Sequence, residues 1–285
     1  ILKRSGKKYV EYDERAAVDF YRRRRTMDCL RRAIQEQLFE VWYQPVYAPD
    51  RGKFVSAEAL VRLRDDKGRM ISPGRFIPVA EEMGNVGEVF WQVLAQVCCF
   101  ISNHKQIPID TISVNISLEQ FEDSHLPEKI RTVLEMWNVE PEKLRLEITE
   151  RAIAGDAYQS REIIRIMEED GFRFYLDDFG TGYSNFATLA QYHFECIKLD
   201  KSLIGIVDSD QKGYNMVRGL IRLIHELGIK VIAEGTETKE QVEKLLELGA
   251  DKIQGFYYAK PMDGEELSEL LVRDIEVCNI KEEVT

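Results

Sequence analysis

Apolar and polar positions alternate with a period of two through several short runs of the chain. Between these runs the apolar spacing lengthens to the three-to-four-residue repeat of a helix. In Ile112 to Leu118 the apolar phase is Ile112, Val114, Ile116 and Leu118, and Asn115 falls on the other face with Ser113 and Ser117. Leu144, Leu146 and Ile148 oppose Arg145 and Glu147, Ile197 and Leu199 oppose Lys198 and Asp200, and Val231 and Ala233 oppose Ile232 and Glu234. Ile253 opposes Lys252 and Gln254, and upstream Val55, Ala57, Ala59 and Val61 oppose Glu58, Leu60 and Arg62. Polar groups thus recur on the face turned away from the main apolar phase.

The pattern predicts eight strands, near residues 39–47, 54–62, 111–117, 144–149, 172–178, 195–200, 229–234 and 251–255. Helices are predicted between them, among others over 85–103, 157–170, 212–227 and 239–248, the last two stopped by Gly228 and Gly249. Strand-then-helix repetition implies an α/β protein with a mainly parallel sheet, and eight strands suffice to close a TIM-like (βα)8 barrel. Only Ala48 to Lys53, containing Pro49-Asp50-Arg51-Gly52, separates the first two strands. A hairpin is expected there, so one strand near the N-terminus runs antiparallel.

On such a barrel the C-terminal strand ends share one mouth, where active sites lie. Glu58, Asn115, Glu147, Asp177, Asp178 and Glu234 would meet around it. Two carboxylates about 4 Å apart repel by roughly 4 kcal/mol at an effective dielectric of 20. Several such pairs call for cations. An all-oxygen shell without thiolate or imidazole selects Mg²⁺ or Mn²⁺ over zinc, and the adjacent Asp177-Asp178 pair suits two ions side by side. Lys198 adds a positive charge to the same mouth. Each residue also has a plainer reading: turn and cap chemistry for Asp177-Asp178 before Phe179-Gly180-Thr181-Gly182, ion pairs of Glu58 with Arg62 and Glu147 with Arg145, and a Lys198 that snorkels to solvent. These would have to hold at several separate strand ends at once.

Composition narrows the setting. Hydrophobic content of 44% and charged content of 31% read as a soluble globular protein, and a net charge of −11 argues against charge-driven binding to a DNA or RNA polymer. The basic run Arg22 to Arg25 is the exception, and reads as a solvated helix face because Glu11, Asp13, Glu14 and Asp19 lie just before it. Cys29, Cys98, Cys99, Cys196 and Cys278 show no metal-type spacing and read mostly as buried thiols; His104, His125, His193 and His225 lie outside the acidic run ends. No apolar stretch is long enough to span a membrane and the first residues lack a signal-peptide core, so a cytoplasmic location is expected.

Glu58-Ala59-Leu60 with Arg62, Ser113-Val114-Asn115-Ile116-Ser117, Glu147-Ile148-Thr149-Glu150, Asp177-Asp178-Phe179-Gly180-Thr181-Gly182-Tyr183-Ser184, Ile197-Lys198-Leu199-Asp200, Ala233-Glu234-Gly235-Thr236-Glu237-Thr238 and Gln254-Gly255-Phe256 together resemble the EAL-domain phosphodiesterases. The resemblance covers residues 27–275. It implies hydrolysis of the bacterial second messenger cyclic di-GMP to linear pGpG with two Mg²⁺ or Mn²⁺ ions. By the same resemblance, Glu58, Asn115, Glu147 and Asp177 would hold the first metal, and Asp177, Asp178 and Glu234 the second. Lys198 would position the attacking water, with Glu234 a further proposal for the base, and Glu150 would tether the loop after Asp178. Gln44 and Arg62 resemble contacts to the dinucleotide, Glu237 and Gln254 look like supporting mouth residues, and Asp200 is grouped with them as substrate-binding. Asn185 stands where a second serine is frequent, and Asp65-Asp66 replace the more usual turn. Neither touches an implied ligand. Every metal position is filled, which favours an active enzyme over a silent cyclic di-GMP receptor.

Gly6-Lys7-Lys8-Tyr9-Val10-Glu11-Tyr12-Asp13 and the charged run after it resemble the tail of a GGDEF domain and its linker helix, against the alternative of a plain amphipathic leader. The expected organisation is therefore a linker over 1–26, a phosphodiesterase barrel over 27–275 and a tail over 276–285. A chain that begins with Ile1 is expected to be a piece of a longer protein, and the family resemblance allows a homodimer.

Overall fold

The computed structural model describes residues 14–149, 158–181, 189 and 191–283. In chain order the elements are α1 (Glu14–Glu36), β1 (Glu40–Ala48), β2 (Lys53–Arg64), β3 (Met70–Ile71), α2 (Pro73–Glu82), α3 (Val86–Asn103), β4 (Thr111–Asn115), α4 (Leu126–Trp137), β5 (Leu144–Thr149), α5 (Tyr158–Glu169), β6 (Arg173–Phe179), β7 (Phe194–Leu199), α6 (Lys201–Ser209), α7 (Gln211–Glu226), β8 (Lys230–Glu234), α8 (Lys239–Glu247), β9 (Lys252–Gln254) and α9 (Gly264–Glu283). Short 3₁₀ turns precede α4 and β5. All eight expected strands are present, and the alternation pattern places their ends within two residues. The two-residue β3 is additional, too short to leave a periodic signal. Two units divide the chain: Ile1–Glu40 with Val61–Val89, and Val41–Leu60 with Phe90–Thr285.

The second unit holds the barrel. Its strands run in the order β1-β9-β8-β7-β6-β5-β4-β2, and β1 pairs with β2 to close the ring. Neighbours from β2 through β9 are parallel, whereas β1 is antiparallel to β9 with Tyr47 opposite Ile253. The cause lies between β1 and β2, where Arg51 donates to the Ala48 carbonyl and Gly52 to that of Pro49. Gly52 sits at φ 62°, a left-handed conformation that glycine adopts without a steric penalty. A reversal this tight leaves no room for a crossover helix, so the expected hairpin forms.

Both phases of the barrel strands are buried. Ala57, Ile112, Val114, Leu144, Leu146, Ile148, Leu176, Ile197, Leu199, Val231 and Ala233 supply the apolar phase. The opposite phase fills the barrel in layers. Val46, Tyr175, Cys196 and Ile232 form one buried cluster. Tyr175, Cys196 and Ile232 stand two residues before Asp177, Lys198 and Glu234, so an apolar floor lies one layer toward the strand N-termini from those charged groups. Val46 belongs to the floor from the opposite direction, because β1 is antiparallel and reaches the polar layer at Gln44.

In the first unit, the end of β2 turns back through Asp65 to Gly68 into β3, pairing Leu63 with Ile71 and Arg64 with Met70. Asp65 accepts from the backbone N–H groups of Lys67 (2.9 Å) and Arg69 (3.0 Å) and from the Arg69 guanidinium (2.8 Å). Leu30 and Ala33 of α1 are fully buried, and Phe39 stacks on Phe76. The Arg22–Arg25 run lies on a solvated helix face, as expected, with Arg22, Arg24 and Arg25 exposed and Arg23 half-buried. Arg25 pairs with Asp65 at 3.2 Å and Arg23 with Glu82, while Arg22 and Arg24 remain exposed. Helical spacing turns neighbouring arginines in different directions, and two find partners remote in sequence. α1 passes through residue 26 without a break. The stretch resembling a GGDEF tail lies outside the described residues.

Candidate active site

Four strands bring carboxylates to one ammonium group. Lys198 Nζ on β7 lies 3.0 Å from Glu58 Oε2, 2.7 Å from Glu147 Oε2, 3.3 Å from Asp177 Oδ1 and 2.7 Å from Glu234 Oε1. Lys198 and Glu147 are each 1% exposed. This excludes the snorkelling lysine. The alternative ion pairs are also absent: Glu58 binds Lys198, Asn115 and Gln254, and Arg145 pairs with Glu195 at 2.6 Å.

Strand register explains the convergence. Asn115 lies opposite Glu147, Glu58 opposite Ser113, and Glu234 opposite Gln254. Asn115 Nδ2 donates to Glu58 Oε1 at 3.0 Å, and Gln254 Nε2 donates to Glu58 Oε2 at 2.6 Å while lying 3.4 Å from Gln44 Oε1. Glu58 is thereby held by three donors from three strands.

Asp177 and Asp178 do not behave as a regular pair of strand residues. Leu176 pairs with Ile197 and Phe179 with Leu199, so β6 carries one residue more than β7 across this stretch. The excess is a bulge, and Asp178 occupies it at φ 56°. Asp177 points to the Lys198 cluster and Phe179 is buried, while Asp178 is exposed. Left-handed backbone is several-fold commoner for aspartate than for most residues and marks a position worth a functional explanation.

The electrostatics follow from burial. Loss of hydration raises the carboxyl of Glu147 well above its usual value, reinforced by Glu58, and raises that of Asp177. The same cause lifts Glu234 to about 8 and, with Asp177 as the next contributor, Asp178 to about 6. Glu58 behaves differently: burial opposes its charge, but Lys198, Gln254 and Asn115 outweigh it and lower its pKa. Lys198 would be lowered by burial, yet the surrounding carboxylates raise it well above an ordinary lysine.

Glu147 Oε1, Asp177 Oδ1 and Glu234 Oε1 are buried without a hydrogen bond. For Asp177 and Glu234 these are the oxygens that lie within ion-pair distance of Lys198, so the charge is met but the hydrogen-bond geometry is not. Ligand atoms of Glu58, Glu147 and Asp177 lie within 4.8 Å of one another. Buried carboxylate oxygens left open and drawn into one small volume fit a hard divalent cation.

The remaining expected residues are spread more widely. Asp200 caps α6, accepting from Ser202 N at 2.9 Å. Glu237 is exposed at the entry to α8, where its backbone N–H donates to Gln241. Arg62 belongs to the first unit and donates to the Val61 carbonyl at 3.1 Å. Glu150 and Gly182 to Ser184 lie outside the described residues. Sequence reasoning did not anticipate Thr236, fully buried two residues after Glu234. A Cβ on Gly255 would stand 2.2 Å from its carbonyl oxygen and 2.2 Å from its hydroxyl, so the segments after β8 and β9 meet at backbone contact. The glycine directly after Gln254 was the available signal.

Barrel, inward-pointing carboxylates and buried lysine define a (βα)8 protein with an acidic centre at the C-terminal ends of its strands. The EAL domain model matches residues 27–261, and the chain belongs to the EAL domain family. It is 32% identical over 245 residues to the signaling protein YkoW of Bacillus subtilis, covering 85% of this chain and 30% of that protein. Over 244 residues it is also 32% identical to the bifunctional diguanylate cyclase/cyclic di-GMP phosphodiesterase MucR of Pseudomonas aeruginosa, covering 84% of this chain and 35% of MucR. A solved structure of the PaMucR phosphodiesterase in a c-di-GMP complex matches with a TM-score of 0.78 at 32% identity, over 85% of this chain and 99% of the other. The chain thus spans about a third of the length of these curated relatives.

Proposed function

We propose that this chain hydrolyses cyclic di-GMP to linear pGpG in bacterial second-messenger signalling, using two divalent ions, Mg²⁺ or Mn²⁺. The observation that carries the reading is the set of buried carboxylates around Lys198 with oxygens left open. Membership of the EAL family and likeness to MucR supply the substrate class.

Glu58, Asn115, Glu147 and Asp177 would hold one ion, and Asp177, Asp178 and Glu234 the other. Bound there, such ions supply charge neutralisation at the phosphoryl oxygens and lower the pKa of coordinated water. The protein's own groups do the rest. Lys198 Nζ, a protonated ammonium among the carboxylates, would orient the attacking water and offset charge developing on the phosphodiester. Water oxygen adds to phosphorus, one ester P–O bond breaks, and the departing oxygen takes up a proton. Glu234, whose carboxylate lies 2.7 Å from Lys198 Nζ, is a further candidate to accept the water's proton. Gln44, Arg62, Asp200, Glu237 and Gln254 are assigned to the substrate, with Gln254 also fixing Glu58. Glu150 is assigned to holding the loop after Asp178. No described helix is long and apolar enough to cross a membrane, and we place the reaction in the cytoplasm.

The test is incubation of the chain with cyclic di-GMP and Mn²⁺, with and without chelator, following pGpG. Metal-dependent product supports the reading. Binding without turnover would make the chain a receptor, and neither would leave only the fold.

A further inference from the structure

A polar layer crosses the barrel at the level of Lys198. Each of the eight ring strands gives it a polar side chain, from Gln44 on β1 round to Gln254 on β9. Gln254 Nε2 lies 3.4 Å from Gln44 Oε1 and 2.6 Å from Glu58 Oε2. Such a layer suits cations and phosphate oxygens. It offers nothing to the flat apolar face of a nucleobase, and a cyclic dinucleotide carries two of these.

β1 supplies what the layer lacks. Val46 belongs to the apolar floor and Gln44 to the polar layer, so alternation puts Trp42, two residues earlier, on the same inner face. Because β1 runs antiparallel to its neighbour β9, two residues earlier on β1 means one layer farther out, about 7 Å toward the mouth. The opposite phase of β1 agrees: Tyr43 meets Phe100 of α3 at 4.6 Å between ring centroids, and Tyr47 stacks on Tyr258 at 4.2 Å, both on the outer face. Trp42 is half-buried. At the same level β2 and β5 bring the smaller Leu60 and Thr149. A tryptophan left partly open at a polar rim forgoes some of the burial its ring would gain in a core, and a stacked base restores it.

We infer that Trp42 is the stacking platform for a guanine of cyclic di-GMP, a binding residue one layer above the groups that hold the phosphodiester. The inference rests on the cyclic di-GMP reading of this site. A ribose separates each base from its phosphate, so a phosphodiester held at the carboxylates leaves its bases farther out, at the level of Trp42. Base–aromatic stacking tolerates any nucleobase. Trp42 therefore favours a dinucleotide over a bare phosphodiester, and the choice of guanine falls to polar groups.

Steady-state hydrolysis in Mn²⁺ tests this through KM. Trp42→Ala should raise KM about five- to 150-fold, the loss of one base–aromatic stack. The change in kcat should be far smaller, because a stack made equally in the ground and transition states is uniform binding. Trp42→Phe keeps a ring and should recover most of the loss. A second readout is independent of turnover. Indole emission of the wild type should change on titration with the product pGpG, and the change should vanish in Trp42→Phe, which retains Trp91 and Trp137; inorganic phosphate, which has no ring, should leave emission unaltered in both. This arm needs no Trp42→Ala protein, so it decides the matter if that variant does not fold. Wild-type KM in Trp42→Ala, with or without a lower melting temperature, or equal pGpG-dependent emission changes in wild type and Trp42→Phe, would overturn the inference and leave hydrolysis standing. A wild type that forms no pGpG and shows no emission change would overturn the cyclic di-GMP reading and this inference with it.

Discussion

Lys198 Nζ and Glu147 Oε2 lie 2.7 Å apart with both side chains 1% exposed, a buried ion pair in the interior of a barrel. Its lysine is shared with three further carboxylates, so the pair is the hub of a network. Removing one member of a buried pair leaves the other uncompensated, at a cost of about 3–5 kcal/mol.

Lys198→Met should therefore lower stability by about that amount in metal-free buffer, with turnover lost. Mn²⁺ should restore more of the melting temperature in the variant than it adds to the wild type, because a cation then replaces the missing charge. Calorimetry with and without Mn²⁺ reads this directly. Equal metal-dependent gains in both proteins would show that the carboxylates are not the ion's ligands.

Glu58 gathers Lys198, Asn115 and Gln254 around one carboxylate. Glu58→Ala should abolish pGpG formation and weaken Mn²⁺ binding by at least about tenfold, the effect of losing roughly 1.4 kcal/mol or more. Titration of the metal alone, alongside the activity assay, separates the two. Wild-type Mn²⁺ affinity in the variant would remove Glu58 from the ion's shell.

Gly255 is set against Thr236 more closely than any side chain permits. Gly255→Ala should destabilise the chain by about 1–3 kcal/mol or more through overpacking against backbone. It should also lower activity, since Glu234 and Gln254 flank the contact. Urea denaturation measures the first effect, and a variant as stable as wild type would refute the contact.

Asp65 is held well below the usual carboxylate range, chiefly by the Arg69 guanidinium and also by backbone N–H groups. A depressed folded-state pKa means stability that is present above the unfolded carboxylate's value, about 3.9, and lost as pH falls through the folded value. Asp65→Asn should lower stability by a constant amount in the neutral region and flatten the acid limb below about pH 4, where the difference from wild type shrinks as the wild-type carboxylate is protonated. Denaturation midpoints across acidic pH provide the check. An identical acid limb in the variant would exclude the linkage.

Glu58, Asn115, Glu147, Asp177, Lys198 and Glu234 were readable beforehand because strand alternation is local. A polar residue at an alternate position of an apolar run either faces solvent or shares an interior, and eight strands leave a barrel as the place where such groups meet. The helix boundaries at Gly228 and Gly249 were legible for a similar reason. The arginine run was legible as a solvated face but its ion-pair partners, Glu82 and Asp65, were not, because partner choice depends on which face of α1 meets the turn after β2. No local pattern carries that.

Local alternation, turn residues and a hairpin too short for a crossover determined the barrel, its one antiparallel strand and the face on which Glu58, Glu147 and Glu234 lie. Tertiary structure alone decided that four carboxylates share one lysine, because that depends on register between strands up to 176 residues apart, Glu58 to Glu234. It alone placed the bulge that sends Asp177 inward and leaves Asp178 left-handed beside it. The physical reason is one of range: backbone alternation acts over two residues, whereas charge compensation in a low-dielectric interior is settled by whichever groups the closed ring brings together.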